Sequence, residues 1–142
     1  MQSGDRINQE FGRPGTERAA IVFVSASAED ARAFREIAGG SRWLVVNVPD
    51  LIGGQAAIDK LRPQLVVCDT EIEGEGSWRD LLKGQGAAPG FALIVATPHA
   101  GEALIDEVFD LGGTDVLEKP FRVESVERVL GLARAARYTP AR

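Results

Sequence analysis

A carboxylate, a hydroxyl and an ammonium recur in this chain at the same kind of place, the end of a short apolar run. Asp69 closes Leu65-Val66-Val67-Cys68, Thr97 closes Phe91-Ala92-Leu93-Ile94-Val95-Ala96, and Lys119 follows Asp115-Val116-Leu117-Glu118. Brought to one edge of a sheet, these three make a phosphoryl-transfer site. In such a site Asp69 would be the nucleophile that forms an acyl phosphate, Lys119 would pair with the phosphoryl oxygens, and Thr97 would donate a hydrogen bond to one of them. Singly, each has a plainer reading. An aspartate at a strand end is most often a turn former whose side chain accepts from nearby backbone N–H groups. The recurrence at three ends carries the weight.

The elements that must position these residues follow from the apolar pattern. Ala19 to Val24, Trp43 to Val48, Leu65 to Asp69, Phe91 to Ala96 and Asp115 to Glu118 are short runs rich in β-branched residues, which read as strands buried on both faces. Between them lie helical patterns. The first starts at Ser27, an N-cap with Asp30 three places on, places Ala31, Phe34, Ile37 and Ala38 on one face, and ends at Gly39-Gly40. The second starts at Pro49-Asp50, carries Leu51, Ile52, Ala57, Ile58 and Leu61 towards the core, and stops at Arg62-Pro63. Trp78, Leu81 and Leu82 form a short amphipathic helix closed by a loop from Gly84 to Gly90. A helix from about Gly101 to Leu111 presents Leu104, Ile105, Val108 and Leu111, and the last buries Val123, Val126, Val129, Leu130 and Ala133. Strand and helix alternate, so right-handed crossovers give one parallel sheet with helices on both faces. Ligands and chemistry collect at the carboxyl ends of such strands. Ser25, Ala26, Asp69, Thr97 and Lys119 all fall there.

With 142 residues, the chain is expected to hold a single domain over residues 19-137, between a flexible arm at 1-18 and a tail at 138-142. A hydrophobic fraction of 44% and a charged fraction of 26% are those of a globular protein. No apolar stretch approaches the roughly 18 residues of a membrane span, and Met1 to Arg18 has no signal-peptide core, so a cytoplasmic location is expected. The net charge of -5 argues against nucleic acid and for a protein-facing module. Cys68, inside an apolar run, reads as a small core residue; with His99 it is too few ligands for a zinc site.

Three stretches carry a family resemblance. Gly112-Gly113-Thr114-Asp115-Val116-Leu117-Glu118-Lys119-Pro120-Phe121 and Val66-Val67-Cys68-Asp69, with Ile94-Val95-Ala96-Thr97 as a third, resemble the receiver domain of two-component response regulators over about residues 19 to 137. The resemblance implies a flavodoxin-like sheet of order 2-1-3-4-5, Asp69 as phosphoacceptor, Thr97 as the switch hydroxyl, Lys119 as the phosphoryl-contacting lysine and a cis peptide before Pro120. It also implies a histidine kinase or phosphotransfer protein as donor, a downstream protein target, and a dimer face on the fourth helix, fifth strand and fifth helix. The family's two acids after the first strand, which hold magnesium, are replaced here by Ser25 and Ala26. Magnesium binding is therefore expected to be weak or absent, with Glu71 as candidate substitute; Glu29 or Asp30 reaching back from the first helical turn is the other source of acid, though capping and the helix dipole already account for both. Val116 stands where many members carry Tyr or Phe.

The leading expectation is a stand-alone receiver-like module in phosphorelay signalling, not an enzyme beyond its own phosphorylation and dephosphorylation. The alternative is a pseudo-receiver that binds its partner independently of phosphate. A small flavodoxin-like cofactor-binding protein is the third reading, with Ser25-Ala26-Ser27 at a helix N-terminus as its phosphate cradle. The absence of glycine from that turn counts against it.

Overall fold

The computed structural model describes residues 19–39, 42–83 and 90–137. The expected arm at 1-18, the tail at 138-142, Gly40 and the loop 84–89 lie outside the described residues. Five strands, β1 (Ala19–Val24), β2 (Trp43–Val48), β3 (Leu65–Asp69), β4 (Ala92–Thr97) and β5 (Asp115–Glu118), pair in parallel in the order β2-β1-β3-β4-β5. The doubly wound, flavodoxin-like sheet and its strand order are as the sequence led us to expect. Helices α1 (Ala28–Ala38), α2 (Leu51–Leu61), α3 (Glu102–Asp110) and α4 (Val123–Arg137) cover it. Trp78–Leu81 forms a 3-10 turn rather than an α-helix, opened by a capping box between Ser77 and Asp80.

Because side chains alternate along a strand, each face of the sheet is lined by every second residue. On one face Ile21, Phe23, Leu65, Val67, Ile94 and Leu117 meet α1 and α4; on the other Val22, Val24, Val66, Cys68, Leu93 and Val95 meet α2, the 3-10 turn and α3. The helix starts are built locally. Ser27 caps α1 by accepting from the Asp30 N–H at 3.1 Å, and Asp50 caps α2 by accepting from the Gly53 N–H at 2.8 Å. Arg62, at φ 48, ends α2 in the left-handed region. At Gly54 a side chain would press on Val24, which is how closely α2 lies on β1.

Three residues expected in the core are outside it. Ile52 is 84% exposed, Leu111 47% and Val123 52%. Ile52 is one residue off the inward stripe of Leu51, Gly54, Ile58 and Leu61, and about 100° of rotation takes it to solvent. Leu111 and Val123 sit at helix ends, where the chain has already left the sheet or has not yet reached it.

Beneath the carboxyl edge of the sheet, Phe23, Phe34 and Phe121 form an aromatic trio with centroids 5.4 to 6.1 Å apart, two of the contacts edge-to-face. Removing the fully buried Phe34 ring opens a cavity that this close-packed layer closes only in part. Phe34→Ala is expected to cost about 3–5 kcal/mol in urea unfolding, with the secondary structure retained.

Candidate functional site

Alternation of side chains also decides which strand ends meet. Ser25 lies two residues beyond Phe23, Asp69 two beyond Val67 and Lys119 two beyond Leu117, so all three continue the face covered by α1 and α4. They converge on one carboxylate. Asp69, 1% exposed, accepts from the Lys119 ammonium at 2.6 Å and from the Ser25 hydroxyl at 2.7 Å, both on Oδ2. Among the described residues its Oδ1 accepts only the Glu71 backbone N–H, at 3.1 Å. Ser25 Oγ in turn accepts from the Ser27 N–H at 3.0 Å. Lys119 donates a second bond, 2.7 Å long, to Asp30 Oδ2 in the first turn of α1.

Thr97 lies one residue out of step, continuing the stripe of Leu93 and Val95 on the opposite face. It is 5% exposed, and its hydroxyl accepts the His99 N–H at 3.2 Å. Among the described residues this hydroxyl makes no hydrogen bond to Asp69 or Lys119. Its backbone ties the two ends together, because the Thr97 carbonyl accepts from the Lys119 N–H at 2.8 Å. The Lys119-Pro120 peptide is cis.

This architecture recurs in solved structures. A signal receiver domain from Vibrio parahaemolyticus is 22% identical, with a TM-score of 0.75, over 84% of this chain and 93% of its own. A response regulator from Thermotoga maritima is 20% identical at a TM-score of 0.72, covering 82% and 98%. Vibrio cholerae chemotaxis protein CheY4 is 17% identical at 0.70, covering 82% and 98%. The fold is that of receiver domains. No family model and no curated protein matches the chain.

Within this receiver fold the remaining residues named from the sequence are placed as follows. Ala26 is exposed, and its N–H donates to the Glu71 carbonyl at 3.3 Å. Glu71 is itself exposed and meets Asp69 through its backbone. Among the described residues no group of three or more His, Cys, Asp and Glu side chains is arranged to hold a metal ion. His99 is exposed, Trp43 is a core residue at 4% exposure with Arg134 over its ring, and Val116 is buried in β5. Cys68 lies on the Thr97 face; burial, reinforced by the neighbouring Asp69 charge, pushes its thiol up to about 12. It carries no nucleophilic role at neutral pH. Asp30, which sequence reasoning weighed as an acid reaching back but left to a helix-capping role, does meet the site through Lys119, and a signal for it was present: α1 covers the very face on which Ser25, Asp69 and Lys119 fall.

Burial alone lowers the Lys119 pKa, but its hydrogen bonds to Asp30 and Asp69, with their charges, outweigh this and raise it above the ordinary 10.5. A raised folded-state pKa means that the native protein holds this proton more tightly than the unfolded chain. The resulting stability is complete below about pH 10.5 and is lost as pH rises through the folded value. Lys119→Met leaves Asp69 buried without its cation and is expected to cost about 3 kcal/mol at pH 7. In urea unfolding across pH 7 to about 11.5, the gap between wild type and this variant should narrow only above about pH 10.5.

Proposed function

We propose that the chain is a receiver-type signalling module in which Asp69 accepts a phosphoryl group from a histidine kinase or a phosphotransfer protein. The observation that carries this reading is the 2.6 Å contact between Lys119 Nζ and Asp69 Oδ2 at the carboxyl edge of a receiver fold. A carboxylate there has an ammonium already in place for the charge that a phosphoryl group brings. Oδ1, which accepts a single backbone N–H, is the less engaged oxygen and the candidate nucleophile. Its attack on the phosphorus of a phosphohistidine forms the acyl phosphate P–O bond and breaks the P–N bond. The electron pair stays on the imidazole nitrogen, which takes a proton from solvent. Thr97 lies at the adjacent strand end and would have to rotate to reach the phosphoryl oxygens. The altered charge would then be read by a downstream protein, with exposed Phe109 and Leu111 giving α3 an apolar contact area.

Magnesium suits this site poorly. It requires near-octahedral oxygen ligands, and the two positions after β1 offer a hydroxyl already donating to Asp69 and a methyl group. Glu71 directs its backbone, not a demonstrated side-chain ligand, at the site. We therefore read the module as an atypical receiver and assign charge compensation to Lys119, with no step through a metal.

A second reading has its own observation. Asp69 is almost fully buried, and Oδ2 is satisfied by both the Ser25 hydroxyl and Lys119, which is what a constitutive, phosphate-independent interaction module would hold as a structural network. Cofactor binding at the β1–α1 turn is the weakest reading, since the Ser27 and Asp30 N–H groups are already taken by Ser25 and Ser27. Incubation with acetyl phosphate, with and without magnesium, should add one phosphoryl group to the intact mass of wild type and none to Asp69→Asn. An unlabelled wild type, or equal label on Asp69→Asn, leaves the constitutive module as the function.

A further inference from the structure

The network on Asp69 has one member that the proposed phosphoryl chemistry does not use. Asp30 projects from the first turn of α1, and its Oδ2 lies 2.7 Å from Lys119 Nζ. A carboxylate in a first turn is favoured by the helix dipole wherever its side chain points. Glu29, beside it, shares that benefit and stays exposed, with no ion pair among the described residues. Asp30 turns to the sheet instead and shares the ammonium with Asp69, the Lys119 side chain being only 15% exposed between them. Fixing two long or rotatable side chains in one geometry costs entropy that the dipole does not require. The dipole alone therefore leaves the contact unexplained.

We propose that Asp30 is a positioning residue for Lys119. From α1 it supplies the second acidic group that Ser25-Ala26 do not, and by holding one side of the ammonium it restrains Lys119 from turning to an anion on Asp69. A phosphoryl group arriving at Asp69 must then draw Lys119 away from Asp30. Only this restraint rests on the phosphoacceptor reading; the hold on Lys119 stands apart from it.

The hold is read by acetylating the amines of the folded protein with acetic anhydride at pH 8 and measuring modification of Lys119 by peptide mass spectrometry. Asp30→Asn removes one of two carboxylates from the ammonium and is expected to raise the Lys119 rate about fivefold. Glu29→Gln, which removes the same charge from the same helical turn, should leave it unchanged. An unchanged rate in Asp30→Asn, or an equal rise in Glu29→Gln, overturns the hold. With acetyl phosphate, Asp30→Asn should label faster than wild type, again about fivefold, because the freed lysine answers the anion directly. Labelling no faster than wild type overturns the restraint. If neither protein labels while Asp30→Asn frees Lys119, the phosphoacceptor reading fails and the hold is upheld. Circular dichroism of both variants confirms that the comparison is between folded proteins.

Discussion

A carboxylate with 1% exposure at the edge of a sheet is tolerable only if something replaces the water it has lost. Here the Lys119 ammonium, the Ser25 hydroxyl and the Glu71 backbone N–H do so, and each comes from a different part of the chain. Much of the architecture serves to bring them together. β1 ends in Ser25, β3 in Asp69, Lys119 follows β5, and the first turn of α1 offers Asp30 to the same ammonium. The aromatic trio underneath belongs to the same elements: Phe23 is two residues before Ser25, Phe121 two after Lys119, and Phe34 one helical turn after Asp30. The polar network therefore rests on an apolar layer made by its own immediate neighbours.

The site is divided between the two faces of the sheet. Ser25, Asp69, Lys119 and Asp30 belong to the side of α1 and α4, whereas Thr97 continues the side of α2 and α3. The carboxylate and the hydroxyl thus stand on sides of the sheet covered by different helices. The backbone bond between the Thr97 carbonyl and the Lys119 N–H is the short link between them. On the Thr97 side, the exposed ion pair of Arg79 with Glu107 joins the 3-10 turn after β3 to α3, so that the loop following Asp69 and the helix following Thr97 are tied to one another.

Most of this organisation was legible in the sequence because it follows from period and punctuation. Apolar runs closed by Asp69, Thr97 and Glu118 gave the strands, Ser27 and Asp50 the helix starts, and Arg62-Pro63 a stop. What escaped depended on rotation and on distance along the chain. Ile52, Leu111 and Val123 are apolar, but their helix phase or end position leaves them in solvent, and composition is blind to that. Trp78–Leu81 is too short a segment for periodicity to separate a 3-10 turn from an α-helix. Asp30 has a sufficient local explanation as a first-turn acid, which outweighs the prospect of its reaching back and leaves its partner 89 positions away unnamed.

Cys68 stands at the centre of these relations and touches them only through its thiol, which donates to the Asp69 carbonyl at 3.6 Å. It lies on the central strand, fully buried, with a thiol kept protonated by burial and by Asp69 next to it. A disulfide reagent reaches such a sulfur only when β3 itself is uncovered, so its rate of reaction times the opening of the sheet and not the breathing of its loops. The protein's one sulfur atom of this kind is thereby a built-in clock for the integrity of the strand that carries Asp69.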